Sequence, residues 1–149
     1  MPATLRYVRA ALAASLLAAT LPATGASSAA EAPPLYLRLG GDAVIAPVVE
    51  EMIDAVAADA RVNQSFDKVD MKRLKRMIVE QICALSQGPC RYSGDDMKQS
   101  HAGLKITEAE LYALVEALRD ALDRHNVGTR EKNELLRLLA PMKRDVVTQ

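Results

Sequence analysis

The sequence predicts an all-α fold, and three observations support this. Aromatic residues make up 3% of the 149 residues, and β-branched and aromatic residues never alternate for long enough to predict a strand. Apolar residues instead recur at three- and four-residue steps, the period of a helix. Side chains that cap helices precede several of these stretches. The length suits one domain, and no repeat of solenoid length is present.

The first 30 residues are predicted to be a signal peptide, and residues 31–149 a single domain. Two arginines give a basic start, Ala10–Leu21 is an apolar run, and the small residues that follow allow cleavage after Ala26 or Ala30. A run of about twelve residues is short for a bilayer span, although an uncleaved anchor remains an alternative. We therefore expect an exported, periplasmic protein without stable membrane insertion after cleavage.

The charge balance gives no indication of nucleic-acid binding. The chain has 19 basic and 19 acidic residues, and two of the basic residues precede residue 31, which leaves a net charge of −2 after cleavage. Proteins that bind nucleic acid through phosphate contacts are usually basic. We therefore expect no nucleic-acid partner.

Two long helices are expected in the first half of the domain. After a short apolar turn at Leu35–Leu39, Asp42 is expected to cap a helix that ends near Ala58. Asp70 is expected to cap a second helix, Met71–Leu85. The first half of this second helix is basic, which opposes the helix macrodipole. This cluster predicts either a bound anionic group or a solvated face with acids nearby.

The second half begins with a loop and a short helix. His101 lies at the centre of the stretch from Tyr92 to Thr107, and turn signals at Ser93-Gly94 and Gly103 confine the segment around it to a short helix of about two turns. The capping-box sequence that begins at Thr107 opens a long helix, and Thr129 starts the last one. The whole domain is expected to contain four longer and two short helical segments.

The two cysteines leave two possibilities open. Cys83 is expected near the end of a helix and Cys90 in the loop that follows. An oxidising compartment would allow them to pair, and the loop could fold back to bring the sulfurs together. The spacing permits a disulfide but does not require one, so two free thiols are the alternative. Two cysteines alone are a poor zinc site.

His101 is the first candidate for a functional side chain because the chain contains only two histidines. A lone histidine is more often structural than functional, so spacing alone favours a structural role for His101. The other histidine, His125, is expected at a helix C-terminus, on the surface and without an obvious partner.

The order of motifs resembles the group I truncated haemoglobins from Leu35 to about Val147. No single motif is specific, but all occur in the family's order without large insertions: Leu35-Tyr36 with Leu39-Gly40-Gly41, Ala58-Asp59, Phe66 before Asp70-Met71, Gly88-Pro89, Tyr92 with Gly94, Met97, His101-Ala102-Gly103-Leu104 and Ile106-Thr107. The resemblance implies a two-over-two helical sandwich that binds haem b.

The resemblance also implies the roles of several residues on the proximal side and at the rim. His101 would be the proximal ligand of the haem iron, since neutral imidazole is a standard axial ligand. Phe66 would pack on the porphyrin, and Tyr92 and Met97 would line the pocket. Lys98 would reach the haem propionates, as would the basic cluster through Lys72 or Arg76. Such a contact would give that cluster an anionic partner.

On the distal side the sequence departs from the family's usual pattern. Ile53 stands where many members have Tyr, and Leu74 and Ile78 stand where Gln is common. These apolar side chains donate no hydrogen bond to a bound gas. The loss of about 1–3 kcal/mol, or roughly ten- to hundredfold in affinity, predicts weak dioxygen binding in an apolar pocket, with CO and NO affected less.

Met77 gives an alternative to gas binding. It lies three residues after Leu74 on nearly the same helix face, where some relatives supply an internal sixth ligand through another side chain. Ligation by His101 and Met77 would favour electron transfer with a redox partner protein. Met77 as core filling is the simpler interpretation.

Two further expectations concern activity. A haem-free interaction module with a globin fold is a third possible function. No enzymatic activity is expected, because a peroxidase needs a distal acid or base, although turnover of NO or peroxide by the haem stays open.

Overall fold

A computed structural model describes residues 32–66 and 68–148, so the predicted signal peptide at residues 1–30 lies outside the described residues. Within them the regular structure is helical and contains no strand, as the sequence predicts. The α-helices are α1 Leu35–Arg38, α2 Asp42–Ala58, α3 Met71–Leu85, α4 Met97–Ser100, α5 Glu108–Arg124, α6 Thr129–Leu139 and α7 Lys143–Val146, and 3₁₀ turns occupy Asn63–Phe66 and Ala140–Met142.

The four longer helices match the prediction, but the structure contains more short helices than the two that were predicted. The described residues contain three one-turn α-helices, α1, α4 and α7, besides the two 3₁₀ turns. The short helices depend on packing between segments that are distant in sequence, such as α4 against α7 and α1 against α6. Isolated single turns are unstable, so local sequence signals for them are weak.

α2 forms the centre of the fold because it packs against both α3 and α5. Its apolar residues fall at helical spacing and become buried, while Asp54 and Glu50 stay exposed. Leu135 of α6 closes the core by meeting residues from α2, α3 and α5 around a small apolar void. The most completely buried apolar side chains include Ile53, Leu135, Val48, Val49 and Val56.

Ion pairs connect α2 to the helices packed on it. Lys75 of α3 lies 2.7 Å from Asp54. His125, the C-cap of α5, lies 3.1 Å from the Glu51 carboxylate, which also pairs with Arg124. The sequence offers no obvious partner for His125, and the packing of α5 on α2 supplies one in Glu51.

The predicted caps of α3 and α5 are present, whereas the predicted Asp42 cap of α2 is wrong, because Gly41 is the cap and Asp42 is the first residue of the helix. The Asp70 carboxylate accepts a hydrogen bond from the Arg73 amide at 3.0 Å. Thr107 and Glu110 form the capping box, in which the Glu110 carboxylate accepts from the backbone N–H and hydroxyl of Thr107 at 2.8 and 2.7 Å. These hydrogen bonds, first the one from the backbone, hold the pKa of Glu110 below its usual range. The box thus fixes where α5 begins.

We expect Thr107→Ala to destabilise the protein by about 1 kcal/mol at neutral pH, because it removes a helix cap. A carboxyl with a lowered folded-state pKa stabilises above its unfolded pKa of about 4.3, and this contribution is lost as pH falls through the folded pKa. The difference in unfolding free energy between Thr107→Ala and the wild type should therefore become smaller in acid. Urea unfolding at several pH values measures this loss. Thr129→Ala is the control, because Thr129 is the first residue of α6 after its cap, Gly128, and no side-chain hydrogen bond caps that helix.

Cys83 and Cys90 form a disulfide, which settles the alternative that the sequence leaves open. The Cα atoms are 5.7 Å apart, and Cys83 is completely buried. Gly88 allows the loop to fold back, because a Cβ there would lie 2.6 Å from Cys83 Sγ and 2.7 Å from a ring carbon of Tyr36. The bond attaches the end of α3 to the loop that leads to α4.

No helix in the two described ranges, 32–66 and 68–148, is long and apolar enough to cross a membrane.

Candidate functional site

His101 lies at the end of α4, and one of its ring nitrogens already has a partner. Its Nδ1 lies 2.8 Å from the carbonyl oxygen of Met97. Because a carbonyl only accepts hydrogen bonds, Nδ1 carries the proton and Nε2 keeps its lone pair. A half-buried imidazole in this tautomer is suited to binding a metal through Nε2.

The helix that carries His101 is shorter than predicted. Asp96 caps α4 by accepting from the Gln99 amide at 2.7 Å, and His101 is already the C-cap. The expected length of about two turns is therefore wrong, because α4 contains only four residues. The chain leaves the helix at His101 and reaches Gly103, whose φ of +77° is left-handed and favours glycine. The end of α4 at this position determines the orientation of the His101 side chain.

α3 has one face in the core and another that the folded chain leaves partly open. Ile82 and Cys83 are 3% and 0% exposed, whereas Leu74, Met77 and Ile78 are half-buried. Half-buried apolar side chains in a row are the lining expected of a ligand pocket. The predicted distal residues of α3 therefore share this open face.

Some of the predicted pocket residues meet in one apolar cluster. Ile53 belongs to the buried core, with 1% of its surface exposed, and Phe66, Leu74 and Ile78 pack against that core as half-buried side chains. Position 53 is thus filled by an aliphatic side chain in apolar surroundings. At Ile53, Leu74 and Ile78 the side chains contain no hydrogen-bond donor.

Gln81 is a polar residue on the open face of α3 that the sequence analysis did not single out. Its Nε2 lies 3.4 Å from the sulfur of Met97 and 3.6 Å from that of Met142. Gln81 therefore connects the open face of α3 to α4, the helix that positions His101. The signal was present in the sequence, because Gln81 follows Leu74 by seven residues and Met77 by four, so all three share a helix face. The open face of α3 thus carries an amide as well as apolar side chains.

Met77 contacts the loop before α4. Its sulfur lies 3.9 Å from the hydroxyl of Ser93, which donates a hydrogen bond to Glu80 at 2.7 Å. A thioether is a weak acceptor, so this contact holds Met77 only loosely. The loop that the disulfide attaches to α3 therefore also borders the open face.

Tyr92 is held within that loop and does not extend a free hydroxyl. Its phenol donates a hydrogen bond to the Asp95 carbonyl at 2.8 Å, and burial raises its pKa. Gly94 makes room for the phenol, because a Cβ there would lie 2.4 Å from the Tyr92 oxygen. Tyr92 therefore shapes the approach to α4.

The basic residues predicted to reach an anionic group lie at the surface. Lys72, Arg76 and Lys98 are exposed, and none forms an ion pair with another residue in the described ranges. Lys75, in contrast, is engaged by Asp54. The three exposed cations are therefore able to contact carboxylates at the edge of the site.

The side chains brought together here are of the types that bind haem. A half-buried imidazole offers Nε2, a row of half-buried apolar side chains offers a lining for a flat macrocycle, and exposed cations offer partners for two propionates. Together with the all-helical fold, this donor set is that of a helical haem protein, the class to which the globins belong.

Comparison with known proteins agrees with this class. The family model described as "Bacterial-like globin" matches residues 34–148. The "Group 1 truncated hemoglobin GlbN" of Mycolicibacterium paratuberculosis is 34% identical over 119 residues, which cover 80% of this chain and 88% of that protein. The chain therefore belongs to the bacterial-like globins, as a group 1 truncated haemoglobin.

Solved structures show the same fold. The truncated hemoglobin of Tetrahymena pyriformis in its Fe(III) form superposes with a TM-score of 0.74 at 25% identity, covering 78% of this chain and 99% of that one. The 2/2 hemoglobin of Synechococcus sp. PCC 7002, with covalently attached heme, gives 0.72 at 28% identity over 78% and 99%. The predicted two-over-two helical sandwich is confirmed.

Proposed function

We propose that this globin holds haem b through His101 and binds a diatomic gas at the opposite side of the haem. The observation that carries the proposal is the His101 imidazole, whose Nδ1 lies 2.8 Å from the Met97 carbonyl and whose Nε2 is thereby left with a lone pair. Bound haem would supply an iron atom with an open axial position. No enzymatic activity is part of the proposal.

The chain's own residues would orient and enclose the cofactor. The Met97 carbonyl fixes the imidazole tautomer and increases its basicity as a ligand. Phe66, Leu74 and Ile78 offer apolar surface that would exclude water from the macrocycle. Lys98 and Lys72, both exposed, would contact propionates at the solvent edge. Haem burial would then cover the open face of α3.

The distal side chains would make the pocket selective among gases. Ile53, Leu74 and Ile78 donate no hydrogen bond, so dioxygen would lose roughly ten- to hundredfold in affinity relative to a pocket with Tyr and Gln donors. CO and NO depend less on such a donor. We therefore propose CO or NO as the gases that bind best relative to typical family members.

A six-coordinate form with Met77 as the second axial ligand is the alternative. Met77 lies on the open face of α3, and its sulfur has only a weak contact, with Ser93 at 3.9 Å. A sulfur held so loosely is free to approach a cofactor. Ligation by His and Met would raise the reduction potential and suit transfer of electrons to a redox partner protein.

Absorption spectra after haem reconstitution test these functions together. Gas binding predicts a Soret band and a high-spin ferric spectrum that Met77→Leu leaves unchanged. Met77 ligation predicts a low-spin spectrum with a weak far-red band that the same substitution removes. Met71→Leu, in the first turn of α3, is the matched control. Failure to develop a Soret band would leave the haem-free interaction module as the remaining function.

Export to the periplasm is part of the proposal. The disulfide between Cys83 and Cys90 supports it, because such bonds persist in oxidising compartments and are rare in the cytosol.

A further inference from the structure

We propose that Val146 positions the helix that carries His101, an inference that rests on the proposed haem-binding function. α7 packs against α4, and Val146 is the residue of α7 that is buried. The role of this side chain is to hold α4 in place. Val146 is therefore a positioning residue and not a ligand.

α4 and the chain that follows it have little buried surface of their own. No residue of α4 is buried, and residues 102–105 are all exposed. Ile106 is the first buried residue after His101. A single helical turn is unstable in isolation. The position of α4 must therefore be fixed by contacts with other segments.

Residues 143–148 supply such contacts. The backbone N–H of Thr148 donates a hydrogen bond to the Ile106 carbonyl at 3.0 Å. Val146, two residues before Thr148, is buried, as is Ile106. Burial of apolar side chains is the main stabilising contribution in a folded chain. This segment therefore holds the end of the link that begins at His101.

α7 is itself attached to a long helix. The Lys143 ammonium lies 2.6 Å from the Glu108 carboxylate of α5, donates a hydrogen bond to the Tyr112 hydroxyl at 3.0 Å and lies 5.0 Å from the centre of that ring. α5 packs on α2, the centre of the fold. Exposed ion pairs contribute little to stability, so the buried Val146 is the more important contact of α7.

The contact of α4 with α3 is weaker than its contact with α7. On the α3 side, the Gln81 amide meets the Met97 sulfur at 3.4 Å, and a thioether is a poor acceptor. The backbone carbonyl of the same Met97 lies 2.8 Å from His101 Nδ1. A displacement of α4 would therefore move the imidazole and the carbonyl that orients it together. Val146 thus determines where Nε2 lies relative to the open face of α3.

Val146→Ala in the haem-reconstituted protein tests the proposal. We expect haem to be released to an excess of apomyoglobin about tenfold faster, the lower end of the effect of residues that support a metal ligand. The Fe–His stretching band in the resonance Raman spectrum of the ferrous protein should broaden, because the imidazole takes a wider range of orientations. Val146→Ile keeps the apolar contact and should leave both quantities as in the wild type.

Val48→Ala is the matched control. Val48 is buried on α2, where it lines the small apolar void beside Leu135. This variant should lower the denaturant concentration at the unfolding midpoint, because a buried valine is truncated. The Fe–His band should nevertheless stay as in the wild type. Equal broadening in both alanine variants would mean that Val146 contributes only to general stability, and would overturn the proposal.

Thr148→Pro tests the same contact without truncating a buried side chain. Proline lacks the N–H that donates to Ile106. Val147 has an extended backbone, with ψ of +116°, which is compatible with a proline after it. The Fe–His band should broaden in this variant as well. If Val146→Ala does not fold, a band that stays unchanged in Thr148→Pro overturns the proposal.

Hydrogen exchange in the haem-free protein separates this inference from the proposed function. The His101 amide donates to the Met97 carbonyl at 3.1 Å, and its exchange, followed by NMR, should be faster in Val146→Ala than in the wild type. A Soret band with unchanged haem release, Fe–His band and amide exchange overturns the role of Val146 and leaves haem binding intact. If the wild type develops no Soret band, the haem function is overturned, and faster exchange at His101 still supports the positioning of α4 by Val146.

Discussion

His101→Gly should lose at least about a hundredfold in haem affinity. Replacing a residue that only supports a metal ligand typically lowers metal affinity about 10- to 100-fold. Removal of the ligand itself should lower it further. In the structure the Met97 carbonyl, 2.8 Å from Nδ1, holds the imidazole in the tautomer that leaves Nε2 available. Titration of the chain with haem, followed at the Soret band, measures the loss. Added imidazole should restore the spectrum, because it fills the space that the glycine leaves.

His125→Gly is the matched control for this experiment. Both histidines are C-caps of α-helices, His101 of α4 and His125 of α5, so the backbone change is comparable. His125 is paired with Glu51 on α2 at 3.1 Å. His125→Gly should therefore lower the free energy of unfolding and leave the haem affinity unchanged. Equal haem affinity in wild type and His101→Gly would contradict the assignment of the proximal ligand.

Haem binding should also appear as a difference in stability. A ligand that binds only the folded chain stabilises it by about 2.7 kcal/mol at a hundred times its dissociation constant. Unfolding of the wild type should therefore require more denaturant with haem than without. His101→Gly should lose most of this increment, whereas His125→Gly should keep it.

The long helices could be predicted from the sequence because their signals are local. Asp70 and the capping box at Thr107 mark the beginnings of α3 and α5 by side-chain hydrogen bonds to nearby backbone groups. The length of α4 could not be predicted this way, since its exit at His101 depends on Gly103 and on packing against α7. Likewise, the partner of His125 lies 74 residues away in sequence.

The candidate site was predictable only in part. Motif order singled out His101 as the candidate iron ligand, and helical spacing placed Leu74, Met77 and Ile78 on one face. Gln81 lies on that face as well, but its neighbours Met97 and Met142 come from other segments, 16 and 61 residues away. A single sequence does not reveal such contacts. It also left the pairing of Cys83 and Cys90 undecided, because the return of the loop depends on Gly88 fitting against Tyr36.

Removal of the disulfide should destabilise the protein by about 2.5 kcal/mol, the chain-entropy value for a loop of this length. For a domain of this size the loss corresponds to a melting temperature lower by roughly 10 °C. Reductant added to the wild type and the double substitution Cys83→Ala/Cys90→Ala should have similar effects in thermal unfolding. The double variant is also the control, because reductant should not change its melting temperature. A wild-type value that reductant leaves unchanged would contradict the prediction.

The same bond should influence the haem site through the loop that follows it. Cys90 is two residues before Tyr92 and three before Ser93, whose hydroxyl contacts Glu80 and the Met77 sulfur on α3. Because the loop then continues into α4, the disulfide limits the separation of the two helices that border the pocket. The Cys83→Ala/Cys90→Ala variant should therefore release haem to an excess of apomyoglobin faster than the wild type. Equal release rates, together with the lower melting temperature, would mean that the bond stabilises the fold without holding the pocket closed.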